Sequence, residues 1–161
     1  MDACVLIDFC KAERSVLRKC VLDVGEIHVI TPVLQEVKEF QSEQELLDLG
    51  LILDEPELED ALSAAEGRGP VSFQDRLCLL TAKRNRCTCV TNDKSLRKLC
   101  ALEGVPVMWG LQLLLELLGA GGISPKEAVN IAETIHRANP RHITASILSR
   151  FIENVHQRKG E

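Results

Sequence analysis

The sequence contains no tyrosine, one tryptophan and four phenylalanines in 161 residues. So few aromatic rings argue against an RNA-reading sheet, which stacks bases on exposed aromatics. It also lacks a basic surplus. Nineteen Lys and Arg stand against 24 Asp and Glu, for a formal net charge of −5 at pH 7. A generally basic nucleic-acid binder is therefore not indicated, although a local basic patch remains possible within such a total. No apolar run is long enough to span a bilayer. The richest, "GLQLLLELLGAGGI" at 110–123, is short and interrupted by Glu116. Nothing at the N-terminus reads as a signal peptide, so the expectation is a soluble, cytoplasmic protein with no membrane association. The seven cysteines are odd in number, and no C-x-x-C is matched by a second one. That disfavours a structural zinc site and suits small buried side chains in a reducing compartment.

The length suits one domain with a sizeable core, and the 45% hydrophobic content is ordinary for a globular chain. "ACVLI" at 3–7 is continuously apolar, as a strand covered on both faces would be. Phe9 to Leu22 has helical spacing, and "IHVI" at 27–30 reads as a second strand. Thr31 and Pro32 then suit a helix start. Further strands are expected at 51–54, in "CTCV" at 87–90 and in "VPVMW" at 105–109. Helices are expected from Ser72, over 94–103 and over 111–118. Ser124, Pro125 and Glu127 form a capping-box signature, Asn139-Pro140 ends that helix, and a last amphipathic helix covers 144–156. Residues 41–66 hold nine acids and no Lys or Arg, which reads as a solvated face. Alternating strands and helices predict a three-layer α/β/α fold around one mostly parallel sheet of about four to five strands. The expected single domain covers 1–161, with a core at 1–118 and C-terminal helices at 119–161 packed on it.

"TNDKSLRK" at 91–98 poses the functional question, because it sets an aspartate where an apolar run gives way to a helix. Asp93 can cap that helix. It also stands where ligands gather in open α/β sheets, at the strand ends. Three more acids lie near strand ends or helix starts: Asp2, Glu36 and Asp75. Four carboxylates meeting there would repel one another unless a hard divalent cation such as Mg²⁺ or Mn²⁺ joined them. Each has a structural alternative, Asp75 as a helix N-terminal charge, Glu36 as a surface residue and Asp2 as a terminal one. Between Arg76 and Lys98 there are seven Lys and Arg and one acid, Asp93. That strip suits an RNA backbone or simply solvated helix faces. His28, His136, His142 and His156 are scattered and read as structural or exposed.

"MDACVLIDF", the Glu in "TPVLQEV", "SFQDRLCLLTAK" and "VTNDKSL" resemble, in order and spacing, the successive motifs of PIN-domain ribonucleases. The likeness covers roughly residues 1–118 and is nearest to the small prokaryotic toxins of type II toxin–antitoxin pairs. The resemblance implies that Asp2, Glu36, Asp75 and Asp93 are the catalytic acids that bind Mg²⁺ or Mn²⁺ for RNA phosphodiester cleavage. It also implies an RNA substrate, with Arg76, Lys94 and Arg97 as its contacts, a cognate antitoxin, and a homodimer as a further option. Two departures stand out. Only Met1 precedes Asp2, where the family has several strand residues, and Cys4 replaces a small hydroxyl or amide residue. Asp8 is the alternative for the first corner. A non-catalytic interaction module on the same fold is the competing function. A phosphoacceptor receiver is a poorer match to the acid spacing.

Overall fold

A computed structural model describes residues 1–158 of the chain. The described residues form ten helices and four short strands. These are α1 Ala3–Glu13, α2 Ser15–Asp23, β1 His28–Ile30, α3 Thr31–Leu34, α4 Glu43–Asp48, β2 Ile52–Asp54 and α5 Leu58–Glu66. There follow α6 Phe73–Arg84, β3 Cys89–Val90, α7 Lys94–Leu102, β4 Val107–Met108, α8 Gly110–Gly119, α9 Pro125–Ala138 and α10 Ala145–Arg158.

The mixed α/β class is as expected, but the sheet is not. Among the described residues there are two parallel two-stranded sheets, β1–β2 and β3–β4, in place of one sheet of four to five strands. Their registers are His28 opposite Ile52 and Cys89 opposite Val107. The expected first strand at 3–7 is the start of α1. A short, wholly apolar run does not distinguish a buried strand from a buried helix turn by periodicity. Here the helix is selected because Val5, Leu6 and Phe9 share one face and are fully buried. Asp2 is the last extended residue before it. The helix expected over Phe9–Leu22 is consequently divided between α1 and α2, which meet at Arg14. The helix after Pro32 lasts only to Leu34, and turns carry the chain on past Glu36.

Met1 and Asp2 lie between the two sheets. The Met1 amino group donates to His28 O at 2.6 Å, and Asp2 N–H donates to Val90 O at 3.0 Å. Two residues of extended backbone thereby link β1 to β3.

One hydrophobic cluster runs from Met1 to Val155 and includes residues of every part of the chain. Helix α9 packs against α1, and α10 packs against α8 and α9. Leu114, Leu117, Ala128, Ala132, Ile143 and Val155 are completely buried, so most of the apolar stripe after Trp109 is used internally. Cys20, Cys78, Cys89 and Cys100 are buried in this core as small hydrophobes. Among the described residues no helix is long and apolar enough to cross a membrane.

The helix starts follow their local chemistry. Ser72 Oγ accepts from Asp75 N–H at 3.1 Å, and Ser124 with Glu127 forms the full capping box at the head of α9. The acid-rich stretch divides among α4, β2 and α5, and most of its acids are exposed. Glu45 and Asp54 are half-buried and paired with Arg14 and His28. Asp60 is buried and holds Arg84 in a bidentate pair, Nε to Oδ2 at 2.8 Å and Nη2 to Oδ1 at 2.7 Å. That pair ties α5 to α6, so this residue is an anchor rather than part of a solvated face.

Candidate functional site

Asp2 stands at the N-terminus of α1 and is 3% exposed. The Thr91 hydroxyl donates to its Oδ2 at 2.6 Å, and the Cys4 thiol donates to the same oxygen at 2.8 Å. Its Oδ1 has no hydrogen bond among the described residues. Thr91 also accepts from Asp93 N–H at 3.0 Å. One hydroxyl therefore joins the first acid of the chain to the residue after β3. Burial and the adjacent Asp2 charge push the Cys4 thiol far above the ordinary thiol range, so it stays protonated as a donor.

Asp93 answers the question raised by "TNDKSLRK". Its Oδ1 accepts from Leu96 N–H at 2.7 Å and caps α7, as the structural reading requires. A carboxylate has a second oxygen, and the negative charge of Asp93 is felt by Asp75. Capping and service in a site are compatible when one oxygen does each.

Asp75 lies in the first turn of α6. Burial, then the charge of Asp2, push its carboxyl up to about 6; Asp93 adds to the rise and Ser72 opposes it. Glu36, on the turn after α3, is raised too, by burial first and by Asp2 second. Asp2 thus acts on both Glu36 and Asp75, and Asp93 acts on Asp75. The four acids come from four separate stretches of the chain and share one electrostatic neighbourhood. Among the described residues, however, no three His, Cys, Asp or Glu side chains form a ready-made metal cage.

The cations differ in freedom. Lys94 is exposed at the start of α7. Arg97 is half-buried, with its guanidinium stacked on Trp109 at 3.6 Å from the ring centroid. Its Nη1 donates to Asn92 O at 2.5 Å. Arg76 donates to Arg68 O across the Gly67–Pro70 loop. Arg97 and Arg76 both hold backbone in place; Lys94 has no such bond among the described residues.

Asp8 occupies a different corner. It is 4% exposed, and its carboxylate accepts from Asn92 Nδ2 at 3.1 Å and from Asn139 Nδ2 at 3.0 and 3.3 Å. Burial raises its carboxyl, against the lowering effect of both amides. Asn92 in turn accepts from Gly110 N–H at 3.0 Å. A side chain at Gly110 would crowd both Val5 and the Asn92 amide, at 3.2 and 3.3 Å. Asp8, Asn92 and Asn139 therefore pin α1, the loop before α7, α8 and the end of α9 together. Thr91 and Asn92 are the residues that sequence reasoning passed over. Their signal was present in "TND", where every residue after the strand has a polar side chain.

Comparison of the chain with family models, with curated proteins and with solved structures finds no match.

Proposed function

We propose that the chain is a metal-dependent endoribonuclease of the PIN type, with Asp2, Glu36, Asp75 and Asp93 as its acidic site. The observation that carries the reading is the influence of Asp2 on two other acids, Glu36 and above all Asp75, whose raised carboxyl also feels Asp93. Like charges are not gathered at a strand end for stability, because each raises the cost of ionising the next. They fit a hard divalent cation, whose preferred donors are oxygens. Of the atoms in hand, Asp2 Oδ1 and the second oxygen of Asp93 suit such an ion, with Asp75 and Glu36 completing the set. Mg²⁺ or Mn²⁺ there would lower the pKa of a bound water and neutralise charge on a phosphodiester.

The protein's own contribution is positional. Thr91 and Cys4 fix the Asp2 carboxylate, and the α7 N-terminus fixes that of Asp93. Lys94 offers a mobile cation to the RNA backbone, and Arg76 and Arg97 extend the positive strip more rigidly. The finer architecture belongs to this reading as well: β2–β1–Met1–Asp2–β3–β4 is the order of one parallel sheet in a three-layer PIN-like fold. A toxin role, a cytoplasmic setting and inhibition by an antitoxin segment laid across the acidic pocket follow from the same resemblance, as does a possible homodimer.

Purified protein with Mn²⁺ and a mixed RNA pool is expected to cleave, and Asp93→Asn to abolish cleavage with the circular dichroism spectrum unchanged. Cleavage that survives both Asp75→Asn and Asp93→Asn would sink the enzyme reading. Among the described residues no three His, Cys, Asp or Glu side chains already stand together to hold an ion, and a second reading is a PIN-like interaction module that binds RNA or protein without cutting. Failure to bind Mn²⁺ at millimolar concentration would select it.

A further inference from the structure

Trp109 stands between β4 and α8 and is half-buried. The Arg97 guanidinium lies over its ring. Burial lowers the pKa of that guanidinium, and the charge of Asp93 opposes the change. One side chain thus separates the indole from the acidic set. Trp109 also lines a cavity of about 390 Å³ between α8 and α10, a size in the range of small-molecule sites. The walls are mainly apolar, with Leu115 half-buried and Phe151 only 3% exposed. Gln112, Arg150 and Asn154 stand among the lining residues. None of the three makes a side-chain hydrogen bond or ion pair among the described residues. No acid lines the cavity, in a chain whose net charge is −5.

We infer that this cavity holds a purine base of an RNA strand, stacked on Trp109 and read along its edge by Gln112, Arg150 and Asn154; that the base belongs to RNA rests on the nuclease reading proposed above. A purine is apolar on its two faces, and donors and acceptors ring its edge. The cavity has the same division, with aromatic and aliphatic walls and a few unpaired polar groups. Unpaired RNA bases are held in this way, by stacking on aromatic rings and by hydrogen bonds to their exposed edges. The polar set selects purines. Asn and Gln match the N6 and N7 edge of adenine, and Arg matches O6 and N7 of guanine, so each pairs through N7, an atom that pyrimidines lack. Arg150 carries the one charge among the described residues lining the cavity, and its sign suits a polyanion. Arg97 belongs to α7, the helix that Asp93 caps, so one element holds both the indole and an acid of the site.

The test reads the fluorescence of Trp109, the one indole of a chain without tyrosine. The full chain, free of metal, is titrated with AMP, GMP, CMP and UMP. AMP and GMP are expected to change the emission saturably in the millimolar range, and CMP and UMP to bind at least about fivefold more weakly. Asn154→Leu should weaken AMP binding, and Arg150→Gln GMP binding, by about threefold or more, as loss of one hydrogen bond predicts. Ser146→Phe, at an exposed position on the cavity wall, should abolish both. Unchanged circular dichroism shows that a variant has folded; for one that has not, the four-nucleotide series on the natural chain decides alone. Four outcomes overturn the proposal: no saturable change at millimolar nucleotide, equal binding of all four nucleotides, an equal response to ribose 5-phosphate, or undiminished binding by folded Ser146→Phe. Neither metal nor cleavage enters the titration. Cleavage without nucleotide binding therefore removes the base pocket alone, and nucleotide binding without cleavage removes the nuclease reading and leaves the pocket.

Discussion

Asp2 and Asp8 flank the first turns of one helix and are equally buried, yet their surroundings are opposite. Asp8 is met by two amides, Asn92 and Asn139, whose N–H groups have no other bond among the described residues. Asp2 is met by a hydroxyl and a thiol on one oxygen, while its charge bears on two other carboxylates. In the first arrangement both carboxylate oxygens have amide donors. The second is open and electrostatically frustrated. A buried polar group with donors on its oxygens stabilises one packing, whereas an acid whose charge raises its neighbours' carboxyls marks a place where another charge fits. On the proposed nuclease reading, the comparison favours Asp2 over Asp8 for the first corner of the acidic set and gives Asp8 a structural part.

The contrast can be broken in several ways. The largest effect is expected at the open corner, on activity. Asp2→Asn or Asp93→Asn should cut Mn²⁺-dependent RNA cleavage by about 10²-fold or more, as loss of a preorganised electrostatic group does. Asp8→Asn should leave cleavage within a few-fold wherever the variant folds, and equal losses at Asp2 and Asp8 would show that the two acids do not differ in role.

Next in size is an effect on stability at the Asp8 corner. Asp8→Ala leaves the Asn92 and Asn139 amides without their acceptor and should cost about 3 kcal/mol in urea unfolding. A cost under about 1 kcal/mol would mean that the network does not hold α1 to α9.

A smaller effect, of opposite sign, is expected at Asp75. Its carboxyl is raised in the folded chain from the ordinary 3.8 to about 6. The folded state therefore holds this proton more tightly than the unfolded one. The resulting stability is complete below about pH 4 and is lost as pH rises through about 6. Asp75→Asn, which cannot ionise, should raise the melting temperature at pH 7.5 by roughly 2–4 °C. The difference should vanish near pH 3.5 and shrink when Mn²⁺ is added. A wild-type chain at least as stable as the variant at pH 7.5 would show that the acids do not strain the fold.

The smallest change is predicted for Cys4→Ser. A hydroxyl keeps a donor for Asp2, so thermal stability should change by less than about 1 kcal/mol, with the fold unaltered by circular dichroism.

Much of the architecture was legible from local chemistry. The capping box at Ser124, the N-cap at Ser72, the Asp93 cap and the stops at Gly25 and Asn139 depend on bonds within a few residues. They occur where the pattern places them. The strands at 28–30 and 52–54 fall within the predicted apolar runs for the same reason: short β-branched segments bounded by breakers. The segment 3–7 was misread because every residue in it is apolar. Whether such a run becomes strand or helix depends on what lies against it, and here that is α9 together with the core under Val5 and Phe9. The acid run at 41–66 hid Asp60 because nothing local distinguishes it from its neighbours. Arg84, twenty-four residues on, makes it an anchor.

What the sequence determined by itself was therefore the set of interactions that reach only a turn or two along the chain: caps, breaks, helical faces, and the presence of acids near strand ends. Only the tertiary structure decided which acids are neutralised by partners and which press on each other. It also decided that β1 and β3 stand apart with two residues between them. The physical reason is range. A hydrogen bond to a backbone three residues away is written in the local order of residues. The field at Asp75, by contrast, is set by charges that only the folded chain brings near.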